Sequence, residues 1–160
     1  MTLRTVSLWA VVLDQVTKYL VVHYCKLEQS VTLIRGFLYI TYIQNPGAAF
    51  GFLSGTRALI RVPFFIFITL GAGIVVYSYQ RFLSPEKKWA RFALGLIWGG
   101  AMGNFIDRIF YRQVIDFIDA RYHLYQWYVF NVADSCITVG LTILVLSYWF
   151  ENKDSSERGY

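Results

Sequence analysis

Two aspartates stand where a carboxylate is expensive. Asp116 interrupts Val114-Ile115-Asp116-Phe117-Ile118, and Asp134 closes Phe130-Asn131-Val132-Ala133-Asp134. At the centre of a bilayer a carboxylate costs roughly 2.5–3.5 kcal/mol even on the lenient insertion scale, so each needs a partner or a task. Two carboxylates close together do not both ionise comfortably, and one proton is then shared between them. Such a pair can hydrolyse a peptide bond. The ionised partner takes a proton from a bound water, the water attacks the carbonyl, and the protonated partner donates to the carbonyl oxygen. Asn131 and Asn104 can hydrogen-bond a substrate backbone, and Arg108 can fix an acid or a carbonyl.

Other chemistries find less support. His23 and His123 form no His-Glu-x-x-His zinc pattern, and no metal or cofactor is expected. There is no Gly-x-Ser-x-Gly elbow, and Ser135 has no evident base. Cys25 and Cys136 have no metal spacing and read as two free thiols.

The elements that must position these residues are membrane elements. A chain of 160 residues that is 56% hydrophobic, with long uncharged runs, belongs with integral membrane proteins rather than soluble domains. Four stretches approach the roughly 20 residues a spanning helix needs. They run over about 3–22, 59–79, 92–109 and 132–150 of a single domain covering 1–160, with outer segments over about 23–58 and 110–131. The first of these carries Asp14, Gln15 and Lys18 and lacks a small-x-small site, so it reads as a retained helix rather than a cleaved leader. The densest basic connector, Arg81 to Arg91, marks the cytoplasmic side and puts both termini there. The net charge of +5 fits anchoring to anionic lipid, and no basic run with interleaved aromatics suggests nucleic acid.

The fold class that follows is an all-α membrane protein, a bundle of four transmembrane helices with a small outer sheet and a short interfacial helix. Val31–Ile34 and Phe37–Ile43, rich in β-branched and aromatic residues, flank Arg35-Gly36 as a hairpin. Asn45-Pro46-Gly47 breaks the second strand, and 48–53 reads as the interfacial helix. Strand-like pieces also surround Ile115 and Tyr128. Gly95, Gly99 and Gly103 clear one stripe of the third span for close helix approach.

Each polar residue also has a plain structural reading. Asp14 and Lys18 are four apart, so they can form an intrahelical ion pair or reach a ligand. Asp107 and Arg108 can pair to anchor a helix end. Asn131 can cap the fourth helix, with Asp134 favouring its positive end, and structure and function stay open on that helix taken alone. A proton-conducting bundle and a non-enzymatic assembly subunit are the competing functions.

Five blocks in order resemble the bacterial lipoprotein signal peptidases, also called signal peptidase II. They are Asp14-Gln15-Val16-Thr17-Lys18, Asn45-Pro46-Gly47-Ala48-Ala49-Phe50, Gly99 to Arg108, Val114-Ile115-Asp116-Phe117, and Phe130 to Asp134. The resemblance implies an aspartic protease of the cytoplasmic membrane. Such an enzyme removes the signal peptide of diacylglyceryl-modified prolipoproteins, cutting just before the lipid-bearing cysteine. It implies Asp116 and Asp134 as the catalytic pair, and Asn45, Asn104, Arg108 and Asn131 as residues that line or support the substrate site. Asp14, Lys18 and Asp107 then hold the architecture. It further implies membrane lipid as surroundings, inhibition by globomycin-type antibiotics and a site near the outer face, and because a single-chain site needs no partner, action as a monomer is expected. On physical grounds the segment Ala48-Ala49-Phe50-Gly51, small residues and glycine, is expected to close over substrate as a clamp.

Overall fold

In the computed structural model, residues 2–47, 53–122 and 125–157 are described. The expected clamp at 48–51, the expected interfacial helix at 48–53 except for its last residue, and His123 lie outside them. The chain runs α1 (Leu3–Tyr24), β1 (Ser30–Ile34), β2 (Leu38–Asn45), α2 (Ala58–Phe82), α3 (Lys88–Tyr111), β3 (Val114–Tyr122), β4 (Tyr125–Gln126) and α4 (Val132–Glu157).

The structure is mostly helical. Among the described residues, α1, α2 and the Val132–Phe150 part of α4 are long and apolar enough to cross a membrane. Their outward side chains suit lipid: Leu8 and Leu13 on α1, Phe67 and Ile74 on α2, and Val145 on α4 are exposed. The fourth expected span, α3, is not among those three helices. Its composition answers to other helices instead, because α3 packs against α1, α2 and α4. The glycine stripe makes that possible. A Cβ on Gly99 would stand 2.6 Å from the Ala10 Cβ and 2.8 Å from the Ser7 carbonyl oxygen, so α1 and α3 touch backbone to backbone there.

Helix ends depart from the expected bounds where charge allows. The basic connector narrows to residues 83–87, because Lys88, Arg91 and Arg81 are accommodated in helix. Arg91 turns this to use: its Nη2 donates to the Leu83 carbonyl at 2.8 Å, satisfying an orphan acceptor past the end of α2.

The strands form one antiparallel sheet in the order β1-β2-β3-β4. The expected hairpin is present, with Gly36 at φ 78° supplying the left-handed turn residue between β1 and β2. β2 ends at Asn45, where the Asn-Pro-Gly break was expected. Tyr128 is outside the strands; the second piece of that segment is the short β4, and Phe130 bridges to Ile118. A register shift in β2 between Ile40 and Ile43 brings Thr41 and Tyr42 both into buried positions, as a bulge does, and re-aims the strand end that carries Asn45. Beneath the sheet, Val21, Tyr42, Ile115 and Phe117 form an apolar cluster that ties it to α1.

Candidate active site

β3 brings Asp116 and the first turn of α4 brings Asp134 to one place. Asp116 is 2% exposed, and Asp134 is half-buried. Asn131 joins them: its Nδ2 donates to Asp116 Oδ1 at 2.7 Å, and its backbone N–H faces Asp134 Oδ2 at 3.3 Å. Each carboxylate has a second amide donor. Asn45 Nδ2 donates to Asp116 Oδ2 at 2.9 Å, and Asn104 Nδ2 donates to Asp134 Oδ1 at 2.8 Å.

Local folding explains why these residues are where they are. Asn131 caps α4, its Oδ1 accepting from the Asp134 N–H at 2.9 Å, while Asp134 reaches back to the Asn131 N–H. This reciprocal pairing closes the start of the helix and aims the Asp134 carboxylate at the same time. The structural reading of that turn, a capped helix start, is met, and the same contacts orient the Asp134 carboxylate. Asn45 sits at the end of β2, where its own Oδ1 accepts from the Gly47 N–H at 2.9 Å, so its amide nitrogen is turned toward Asp116. Neighbouring strands supply the register, Ile43 facing Asp116 and Asn45 facing Val114.

Both carboxylates line a cavity of about 210 Å³, together with Asn45, Gly47, Asn104, Arg108, Val114, Tyr128, Val129, Ile137 and Thr138. One side of it is amide and carboxylate, the other apolar. Burial pushes the Asp116 carboxyl up to about 7, helped by the nearby charge of Asp134 and opposed by the hydrogen bonds from Asn45 and Asn131. Near neutral pH this group can hold a proton that an ordinary aspartate has lost.

Arg108 does not follow the helix-end pairing expected with Asp107. Its Nη1 donates to the Asn104 carbonyl at 3.1 Å and its Nη2 to the Gly47 carbonyl at 3.2 Å, with its guanidinium carbon 4.3 Å from the centre of the Phe65 ring. Asp107 is instead bound by Lys18 Nζ at 2.8 Å, the same distance at which Lys18 meets Asp14. The i, i+4 pair on α1 is thus half of a three-residue cluster. Asn131 departs as well. Expected to reach substrate backbone, it is fully buried, and its Nδ2 is occupied by Asn104, Ile115 and Asp116.

Several contributors escape sequence reading. Gln15 donates to Asp14 Oδ2 at 3.2 Å, to the Gly103 carbonyl at 3.2 Å and to Asp107 Oδ1 at 3.0 Å. Its signal was an amide beside an acid within an apolar helix. Asp119 is fully buried and held by Thr41 Oγ1 at 2.7 Å and by the Arg121 guanidinium, a structural lock between β2 and β3. Nothing in its spacing separates it from Asp116. Gly47 enters through its carbonyl and Tyr128 through its place on the cavity wall, neither of which a side-chain pattern announces. Cys25 and Cys136 are free thiols.

Comparison with known proteins bears on this arrangement. The family described as Signal peptidase (SPase) II matches residues 6–150. A lipoprotein signal peptidase of Syntrophotalea carbinolica is 40% identical over 147 residues, which cover 92% of this chain and 90% of that protein. One from Geobacillus kaustophilus is 46% identical over 140 residues, 88% of each. A solved bacterial membrane enzyme, determined by the in meso method, superposes with a TM-score of 0.85 at 33% identity, covering 94% of this chain and 88% of that one.

Proposed function

We infer the function from one premise: the chain belongs to the signal peptidase II family, and so is a membrane protease that removes signal peptides from prolipoproteins. The finer reading is that it works as an aspartic endopeptidase with Asp116 and Asp134 as its catalytic pair. The observation that carries this is Asn131, one residue touching both carboxylates at the border of one cavity.

The chemistry follows from the two settings. Asp116, pushed up to about 7, is the acid. Asp134 takes a proton from a water between them, and the water oxygen bonds to the scissile carbonyl carbon as the carbonyl oxygen takes the proton of Asp116. The resulting diol collapses: Asp134 returns its proton to the amide nitrogen, the C–N bond breaks, and Asp116 recovers a proton from a diol hydroxyl. Asn45 and Asn104 keep the carboxylates aimed, and Arg108, turned to the Gly47 carbonyl, ties the end of the Asn-Pro-Gly turn to α3. Preorganised donors of this kind are worth more in a water-poor site than in solution.

The substrate is a diacylglyceryl-modified prolipoprotein, cut before its lipid-bearing cysteine. Ile137 and Thr138 carry the cavity along α4 away from the carboxylates, which suits an apolar signal helix delivered from within the bilayer. α3 joins the other three helices as a fourth span, both termini are cytoplasmic, and the site lies near the outer face of the bacterial cytoplasmic membrane. Asn45, Asn104, Asp116 and Asp134 all come from one chain, so a monomer suffices, and globomycin-type inhibitors compete for the same cavity. The test is cleavage of a lipidated precursor by the reconstituted protein, with the new N-terminus located by mass spectrometry. Cleavage before the modified cysteine is expected. Equal cleavage of a precursor whose cysteine is replaced by serine overturns the substrate assignment.

A further inference from the structure

Lys18 has three N–H donors and no acceptor. Two go to carboxylates, Asp14 Oδ2 and Asp107 Oδ2, each at 2.8 Å, and the third goes to Asn104 Oδ1 at 3.1 Å. All three protons are thereby committed, in a site where Lys18 is 2% exposed and both acids are buried. Charge pairing accounts for two of these contacts. The third falls on a neutral amide that itself reaches Asp134.

That third contact fixes a direction. A side-chain amide can turn over and exchange its oxygen and nitrogen. Facing an ammonium, only the oxygen of Asn104 is tolerated, so its NH₂ must face Asp134, where Nδ2 donates to Oδ1 at 2.8 Å. The same oxygen accepts a second bond, from Asn131 Nδ2 at 3.1 Å. The nitrogen of Asn131 is therefore on the side of Asp116, and its oxygen is left for the Asp134 N–H. Were Asn104 reversed, an oxygen would face the Asp134 carboxylate, acceptor against acceptor, and the array would lose its sense.

We propose that Lys18 is a positioning residue for proteolysis: through Asn104 it sets the donor direction of the Asn104–Asn131 amide array that holds Asp116 and Asp134. The proposal rests on the aspartic reading above. It gives Lys18 a task distinct from compensating Asp14 and Asp107, and predicts that the two tasks separate by mutation.

Asp14→Asn with Asp107→Asn removes both buried negative charges and leaves Lys18 to donate to Asn104. Adding Lys18→Met to that double variant removes the ammonium and its donor together, which leaves a neutral cluster with no carboxylate unpaired. Per folded molecule the double variant is expected to keep kcat within about threefold of the parent, since the donors on the dyad are retained. The triple variant is expected to lose about 10²-fold in kcat, the scale of a misplaced catalytic group, with KM unchanged. Equal kcat in the double and triple variants overturns the proposal. Should either the double or the triple variant not fold, Asn104→Leu, which leaves the Lys18 ion pairs intact, decides: undiminished kcat there shows that the array does not need the link and overturns the proposal. Asp116→Asn and Asp134→Asn run alongside. Activity in either defeats the aspartic reading itself, whereas two inactive dyad variants with a triple variant equal to the double defeat only the role of Lys18.

Discussion

Asp14 and Asp107 meet across Lys18, an ammonium 2.8 Å from each; Asp116 and Asp134 meet across Asn131, an amide. Both pairs join distant parts of the chain, and Asn104 touches both clusters. An ammonium between two carboxylates compensates their charge, and a buried pair so compensated is architecture. An amide holds a carboxylate in place without compensating it. Burial, helped by the neighbouring charge of Asp134, pushes Asp116 up to about 7 against the hydrogen bonds of Asn45 and Asn131 and the more distant charge of Lys18. The four acids thus divide by the partner each is given: a shared cation for Asp14 and Asp107, side-chain amides for Asp116 and Asp134.

The sharpest way to break this comparison is to remove one acid from each pair. Asp116→Asn or Asp134→Asn should lower turnover by at least about 10²–10⁴-fold, the usual worth of a positioned acid or base, while the yield and thermal stability of the purified protein hold. Asp107→Ala should show the reverse. It leaves Lys18 with one carboxylate fewer and strips the acceptor from the Ile115 N–H at 3.0 Å, at a cost of about 3–5 kcal/mol in stability. Thermal unfolding in detergent, set beside kcat per folded molecule, reads both. An Asp107→Ala protein as stable as its parent would erase the distinction between the two pairs.

How far the sequence announces these pairs depends on the distance between partners along the chain. Asp14 and Lys18 share a helix face, so their contact is legible from i, i+4 spacing alone. The β1–β2 hairpin is legible because its turn glycine and β-branched flanks are local. Lys18 and Asn104 are 86 residues apart, and their contact exists only because Gly99 lets α3 close on α1. No local pattern states that. The glycine stripe announces close approach without saying to what. Asp116 and Asp119 look alike in sequence, yet one receives amides and the other a threonine hydroxyl and an arginine, a difference made by where β2 bulges. Arg108 adjoins Asp107 in sequence and still pairs elsewhere, because consecutive helical residues point in different directions. Side-chain types pointed to these residues; only tertiary packing assigned their partners.

Smaller effects sharpen the comparison through pH. With Asp116 as the acid, kcat/KM of the parent should fall on the alkaline side through about pH 7, approaching tenfold per unit beyond it, as the proton is lost. A rate level to pH 9 would remove Asp116 from that role.

The subtlest change is Asn45→Ala. The bond from Asn45 Nδ2 to Asp116 Oδ2, 2.9 Å long, favours the ionised carboxylate and so works against the rise caused by burial. Removing it should move Asp116 further up, and the acid form should persist to higher pH. A hydrogen bond to a charged group contributes about 1.5–3 kcal/mol and one pH unit corresponds to about 1.36 kcal/mol, so the alkaline fall should move up by about one to two units. The direction is the discriminating feature. Were Asn45 only a substrate contact, its loss would raise KM and leave the pH midpoint of kcat in place. A midpoint displaced upward, measured on a saturating lipidated precursor, identifies the amide as a brake on the acidity that burial confers. Under the same substitution an amide-held acid moves, whereas the cation-held pair of Asp14 and Asp107, which Asn45 does not touch, keeps its contacts with Lys18.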